Sequence, residues 1–341
     1  MTIKTLGIDI GKSTFHLHGQ DTRGKPVVRK RVTRSQLYRY VAQLPPCRIA
    51  MEACAGAHYL GQKFQTYGHD VKLIAPQFVK PFVKSNKNDY LDAEAICEAA
   101  TRPSMRFVAI KTPIQQETLA LHRVRNSLIK QRTATINQIH GFLLEFGISF
   151  PKGAVTVKNR LPAVLEDAEN ALPDGMRALL YRLYQQYRHL LDQVEQLDRH
   201  IMQIANQDDA CNRLMSIPGV GPVVATQLVA TIGDPRCFRS GREVAAWLGL
   251  VPRQHSTGGK ARLLGISKRG DKHLRTVLIH GARAILRFAK NKPDRHSHWI
   301  QTLLNRRPFN VTAVAVANKT VRIAWALLMC GGTYETSKVS A

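Results

Sequence analysis

Carboxylates are scarce in this chain: 24 Asp and Glu stand against 50 Lys and Arg among 341 residues, a formal net charge of +26. The excess of cations is spread along the sequence and is not confined to a tail. A polyanion is therefore the natural partner, with nucleic acid first among them. Long apolar runs are missing as well. The most apolar C-terminal run, Thr312 to Met329, is broken by Lys319 and Arg322, which argues against a membrane span. The N-terminus lacks a basic-then-apolar leader pattern, so a cytoplasmic location is expected. Cysteine is sparse and unpatterned, at positions 47, 54, 97, 211, 237 and 330 with no CxxC pair. That speaks against a zinc site or a disulfide framework and leaves reduced core residues. The length allows two or three domains with cores of their own.

Because acids are few, their positions carry weight. Leu6-Gly7-Ile8-Asp9-Ile10-Gly11 reads as a central strand with one carboxylate in its middle. A charge there is costly unless it is paired or coordinates a metal, and the flanking glycines leave room for a ligand or another backbone. The competing reading is a strand-end Asp facing solvent. After the strand, Phe15 and Leu17 alternate with His16 and His18, a turn falls at Asp21 to Pro26, and Val27 to Val32 can form a third strand, which makes a meander. Ser35 is expected to cap a helix carrying Leu37, Tyr40, Val41 and Leu44. Arg48 to Glu52 is an apolar strand ending in a carboxylate. A helix near Ala57 to Tyr67 and a strand Val71 to Ala75 follow. Strand, helix, strand implies a parallel crossover. The order is that of an α/β RNase H-like fold.

Asn88 can cap the next helix, whose first turn holds Asp89 and Asp92 on one face. Dipole-favouring surface residues are the bland alternative. In context, a first-strand Asp9, a strand-end Glu52 and the Asp89/Asp92 pair would crowd four carboxylates together. Such a cluster needs a cation, and hard oxygen donors select Mg²⁺ or Mn²⁺. Two such ions could act on a phosphodiester.

From Gln115 to Phe146 the pattern is helical, with Arg123, Arg125, Lys130 and Arg132 between apolar positions. Four cations with few acids favour phosphate contact over a merely solvated face. Farther on, Leu180, Tyr187, Val194 and Ile201 recur every seven residues, as do Leu183, Leu190, Leu197 and Ile204. That is a coiled-coil seam over about four heptads. Its partner helix could belong to the same chain or to another subunit.

Ile217-Pro218-Gly219-Val220-Gly221 has the centre of a helix-hairpin-helix, whose bare N–H groups at Gly219 and Gly221 can face a phosphate. An ordinary αα-turn is the alternative. Then Arg253-Gln254-His255-Ser256-Thr257-Gly258-Gly259-Lys260-Ala261-Arg262 runs on to Lys268 and Arg269. Two adjacent hydroxyls sit in a glycine-rich loop among five cations. The modest reading is phosphate binding; the sharper one makes a hydroxyl the nucleophile on a phosphodiester. A helix at Leu274 to Phe288 and an apolar one at Val311 to Leu328 complete the chain.

Asp9, Glu52, Asp89-Tyr90-Leu91-Asp92, the Pro-Gly-Val-Gly element and the block from Pro252 to Gly270 together resemble the DEDD-type insertion-sequence transposases of the 110 and 1111 grouping. The resemblance covers nearly the whole chain in order. It implies a RuvC-like DEDD domain (1–110), a helical coiled-coil segment (111–208) and a helical C-terminal transposase domain holding a catalytic serine (209–341). It further implies double-stranded donor and target DNA, an element-encoded guide RNA, and a dimer or tetramer whose sites join the carboxylates of one subunit to the serine of another. A place at the nucleoid in a bacterial cytoplasm goes with that reading. The family's serine could fall on Ser256 or Thr257; Ser256 is favoured because a primary hydroxyl is less hindered. A junction-resolving metal nuclease needs the four carboxylates but no serine, and a nucleic-acid-binding scaffold needs neither.

Overall fold

Three strands open the chain as an antiparallel meander: β1 (Thr5–Ile10), β2 (Thr14–Gln20) and β3 (Pro26–Thr33). In this computed structural model, residues 2–83, 88–151 and 153–335 are described. The chain divides into two units, Met1–Ile114 and Gln115–Ala341.

Helix α1 (Arg34–Ala42) starts earlier than Ser35 would have it. Thr33 caps it in a box with Gln36, whose side chain accepts the Thr33 N–H at 2.8 Å, so Ser35 lies inside the first turn. Next come β4 (Arg48–Glu52), α2 (Ala57–Thr66), β5 (Asp70–Ile74), α3 (Pro76–Val79), α4 (Asp89–Thr101) and β6 (Phe107–Val108). The sheet order is β3-β2-β1-β4-β5-β6, with β1, β4 and β5 parallel and β6 an antiparallel edge the sequence did not announce.

Period-two alternation divides this sheet into two faces. Leu6, Ile8, Ile49 and Met51 point with Leu37, Leu60 and Phe64 into one core. Ala50 points the other way, toward Ala95, Ile96 and Ala99 of α4. Gly7 and Asp9 share that second face by parity. A Cβ on Gly7 would lie 2.3 Å from the Ala93 carbonyl oxygen and 2.7 Å from the Cys97 nitrogen. The room beside the carboxylate thus belongs to another backbone, that of α4, which lies directly on β1.

The second unit is mostly helical: α5 (Pro113–Glu145, reaching two residues into the first unit), α6 (Ala154–Glu166), α7 (Asp174–Gln207), α8 (Asp209–Met215), α9 (Pro222–Ile232) and α10 (Gly241–Trp247). A hairpin, β7 (Pro252–Thr257) and β8 (Lys260–Ile266), precedes α11 (Lys272–Phe288), α12 (Arg295–Leu304) and α13 (Phe309–Cys330). Among the described residues α13 is the one helix long and apolar enough to cross a membrane. Its Ala313, Val316, Ala317, Val321 and Ala324 are fully buried with α9 and α11 residues, so one face of it belongs to the unit's own core.

The heptad row Leu180, Tyr187, Val194 and Ile201 is buried within the chain, whereas Leu183, Leu197 and Ile204 of the second row are half-buried. Leu180 and Tyr187 join Ile136, Ile139 and Leu143 of α5 and Val157 and Leu161 of α6 in one cluster. Tyr187, irregular for a seam, reaches α6 by donating its hydroxyl to the Ala154 carbonyl at 2.7 Å. Leu180→Ala should accordingly cost roughly 2–5 kcal/mol in urea unfolding, and Leu197→Ala clearly less. Equal losses at the two positions would mean that the exposed side of the seam is covered in solution.

Candidate active site

The register of β1 against β4 sets Ile8 opposite Met51, so Asp9 and Glu52 follow at the carboxyl ends of adjacent parallel strands. Both point to the face covered by α4. There Asn88 caps the helix by accepting the Tyr90 N–H at 3.0 Å, which orients the first turn and its Asp89 and Asp92. Asp9 is half-buried, with 27% of its side chain exposed, and Asp89 is open at 59%.

Asp9 and Glu52 feel both their burial and the acids around them. Burial, then Asp92 and Asp89, push the Asp9 carboxyl above its ordinary range, with His16 pulling the other way. Burial, then Asp9 and Asp92, raise Glu52 likewise. Like charges are thus held together at the C-terminal edge of the sheet. Among the described residues no group of three or more His, Cys, Asp or Glu is arranged so that it could hold a metal ion as it stands. The donors nevertheless suit a hard divalent cation: they are all carboxylate oxygens, and their mutual repulsion is what such an ion would relieve.

A fifth residue belongs here that sequence reasoning passed over. His16 is the cross-strand partner of Asp9. Its Nδ1 lies 4.0 Å from Asp9 and 3.7 Å from Asp89, and the side chain is only 9% exposed. Tyr90 stacks edge-on to it with ring centroids 4.7 Å apart, and the Arg29 guanidinium covers Tyr90. The signal was present: a two-strand meander through a turn at Gly11 to Ser13 must set some β2 residue against Asp9. Only the register says that it is His16 and not the neighbouring Phe15 or Leu17.

The hydroxyl block is not a loop but a hairpin. Thr257 pairs with Lys260 across Gly258 and Gly259, whose φ angles of 56° and 76° are those a two-residue primed turn demands. Ser256 therefore sits one residue from the tip, opposite Ala261, and His255 stands opposite Arg262. Gln254, on the face of Ser256, donates to its Oγ at 2.8 Å. Every residue of β7 and all but the last of β8 are exposed, and Arg253, Lys260, Arg262, Lys268 and Arg269 are all solvent-facing. No carboxylate occurs between Pro252 and Gly270.

The α5 cations divide. Arg123 and Lys130 are exposed, but Arg125 is paired with Asp198 of α7, and Arg132 is half-buried with its Nε unpartnered. Arg125 thus braces two helices instead of offering its charge to phosphate. Gly219 and Gly221 are exposed in the turn before α9, as a phosphate contact requires, while Ile217 and Val220 beside them are core. Salt dependence should sort these groups. Arg253→Gln or Arg262→Gln should flatten the slope of log K against log salt on duplex DNA by about 0.9 each, and Arg125→Gln should leave it unchanged while lowering the melting temperature. A flattened slope in Arg125→Gln would show that its ion pair opens on binding.

Comparison with known proteins finds similarity to transposases. Residues 211–298 match the family described as Transposase IS116/IS110/IS902, and residues 6–148 match a DEDD transposase family. The chain is 48% identical to the transposase for insertion sequence element IS1328 of Yersinia enterocolitica, over 98% of this chain and 99% of that one. It is 49% identical to a probable family 20 transposase of Pseudomonas aeruginosa, over 96% and 97%. It is 46% identical to the transposase for insertion sequence element IS1111A of Coxiella burnetii, over 98% and 92%.

Proposed function

The chain belongs to the IS116/IS110/IS902 family of insertion-sequence transposases, enzymes that recombine DNA, and from that premise we propose how it works. Donor and target duplexes are chosen by an element-encoded guide RNA and joined through a serine nucleophile, Ser256. Asp9, Glu52, Asp89 and Asp92 are the residues that hold divalent ions, two Mg²⁺ or Mn²⁺. When bound, such ions polarise a phosphodiester and stabilise a leaving oxygen.

The chain's own residues divide the remaining work. Ser256 Oγ forms a bond to phosphorus, the bond from phosphorus to one deoxyribose oxygen breaks, and the serine proton ends on that oxygen. Reversal with a second strand's hydroxyl releases the serine and completes transfer. Gln254 keeps Ser256 oriented, and the hairpin cations draw the phosphate in. Residues 1–110 act as the RNase H-like, RuvC-like domain, 111–208 as the helical coiled-coil segment, and 209–341 as the domain presenting the serine.

The observation that carries the reading is the crowding of carboxylates at one sheet edge, where Asp92 raises both Asp9 and Glu52, and Asp9 raises Glu52 in turn. A junction-resolving nuclease would share that cluster. The acid-free, exposed hairpin with hydroxyls near its tip favours the recombinase. The test combines purified protein, its RNA, and donor and target DNA, with Mg²⁺ or with EDTA. Strand exchange and a protein–DNA adduct, both dependent on RNA and on the ion, are expected. Simple cleavage with no adduct would identify the nuclease, and exchange without RNA would remove the guide.

A further inference from the structure

The root of the hairpin borders a cavity that the chemistry above does not use. It has a volume of about 1180 Å³ and lies between the ends of β7 and β8 and the outer face of α13. That exceeds the roughly 300–1,000 Å³ of an ordinary small-molecule site. Leu264 and Ile266 of β8 and Val314, Ile323 and Trp325 of α13 line it, so much of its surface is apolar.

Its charge is of one sign. Arg242, Lys319 and Arg322 line it, and no carboxylate is among the lining residues. The Lys319 ammonium rests 4.1 Å above the Trp299 ring, at the wall of the same cavity. Burial, with Arg322 and Arg295 nearby, lowers its pKa from the ordinary lysine value. This is the mirror image of the carboxylate cluster: crowded like charges that an outside counter-ion would relieve.

We infer that this groove takes an unpaired nucleotide of the substrate DNA, its base on the apolar floor and its phosphates on Arg242, Lys319 and Arg322. The inference rests on the transposase reading, which supplies DNA as substrate. A flat apolar face linked to an anion is what a nucleotide is, and proteins that hold single strands combine such floors with cations. A duplex offers the anions but keeps its bases stacked; an unpaired nucleotide offers both. The alternative occupant, a second copy of this chain, would bring a surface of net charge +26 to a rim of three cations, which disfavours it. The position also suits the reaction. Pro252, at the groove, is four residues from Ser256, about 13 Å along an extended strand. A nucleotide held there would be displaced from the duplex a short distance from the phosphate that the serine attacks.

The experiment compares two DNA duplexes, one fully paired and one with a single unpaired 2-aminopurine nucleotide. The parental protein should bind the second about tenfold more tightly and quench its fluorescence. The double variant Lys319→Met with Arg322→Gln should bind both alike, at the parental affinity for paired DNA and with parental melting. Trp299→Leu serves as a second probe, expected to alter the quenching without abolishing the preference. Equal binding of the two duplexes by the parental protein would overturn the inference, as would a preference that survives the double variant. Tighter binding of an RNA of the same unpaired sequence would give the groove to RNA. Protection of Val314 and Ile323 from hydrogen exchange without DNA would give it to a second copy. Failure to bind either duplex would instead count against the substrate reading itself.

Discussion

Protein carrying Asp9→Asn should lose strand exchange by more than the roughly 10–100-fold that loss of an outer partner of a metal ligand typically costs. Its affinity for DNA should be unchanged. The expectation about stability is less obvious and more telling. Asp9 is held above its ordinary range by burial first and then by Asp92 and Asp89. A carboxylate whose folded pKa exceeds its unfolded value destabilises the folded state once the pH is above both. Neutralising it near pH 7 removes that penalty, so Asp9→Asn should melt at the parental temperature or higher. That gain should shrink as the pH falls toward the carboxylate range, where the parental Asp9 is protonated too. His16→Asn, which removes the cross-strand neighbour that lowers Asp9 and touches none of the reacting atoms, should cost exchange about 10–100-fold. Parental exchange in Asp9→Asn or in Asp92→Asn would sink the site; a fall in melting temperature alongside lost activity would reduce the four acids to structural roles.

Ser256→Ala should abolish the covalent protein–DNA adduct, and Thr257→Val should keep it. The hairpin geometry makes the pair separable, because successive residues of β7 point to opposite faces. Ser256 shares a face with Gln254, which donates to its Oγ, while Thr257 shares a face with His255 and abuts the turn. A serine hydroxyl needs activation at neutral pH. No carboxylate lies in its hairpin, and the neighbouring His255 points to the opposite face, so activation from elsewhere is expected, with the DEDD cluster as the candidate. Mixing inactive Ser256→Ala protein with inactive Asp9→Asn protein tests whether two subunits share one site. Restored exchange supports sharing, and a mixture as dead as its components confines each site to one chain. Full activity of Ser256→Ala alone would transfer the nucleophile's role to Thr257.

Much of this was legible in one dimension because it is written in short periods. Alternation in β1 and β4 puts Asp9 and Glu52 on a common face opposite Leu6, Ile8 and Met51. Asn88 before Asp89 announces a capped helix, and the seven-residue recurrence from Leu180 to Ile201 marks the buried row of α7. The strand–helix–strand order and the surplus of cations likewise follow from local pattern and composition. Gly258-Gly259 is also a local hairpin signal, and it makes Ser256 and Thr257 the end of a strand instead of a loop. Other features lie beyond any window on the sequence. That His16 stands against Asp9 depends on register; that Gly7 makes way for the α4 backbone depends on how a helix settles on a sheet. Arg125 looks like every other cation on α5 until α7 brings Asp198 to it across 73 positions. The cationic groove beneath the hairpin joins residues from 240 to 326 that share no pattern. Periodicity decides which side of its own element a residue occupies, but packing between elements decides what it meets there.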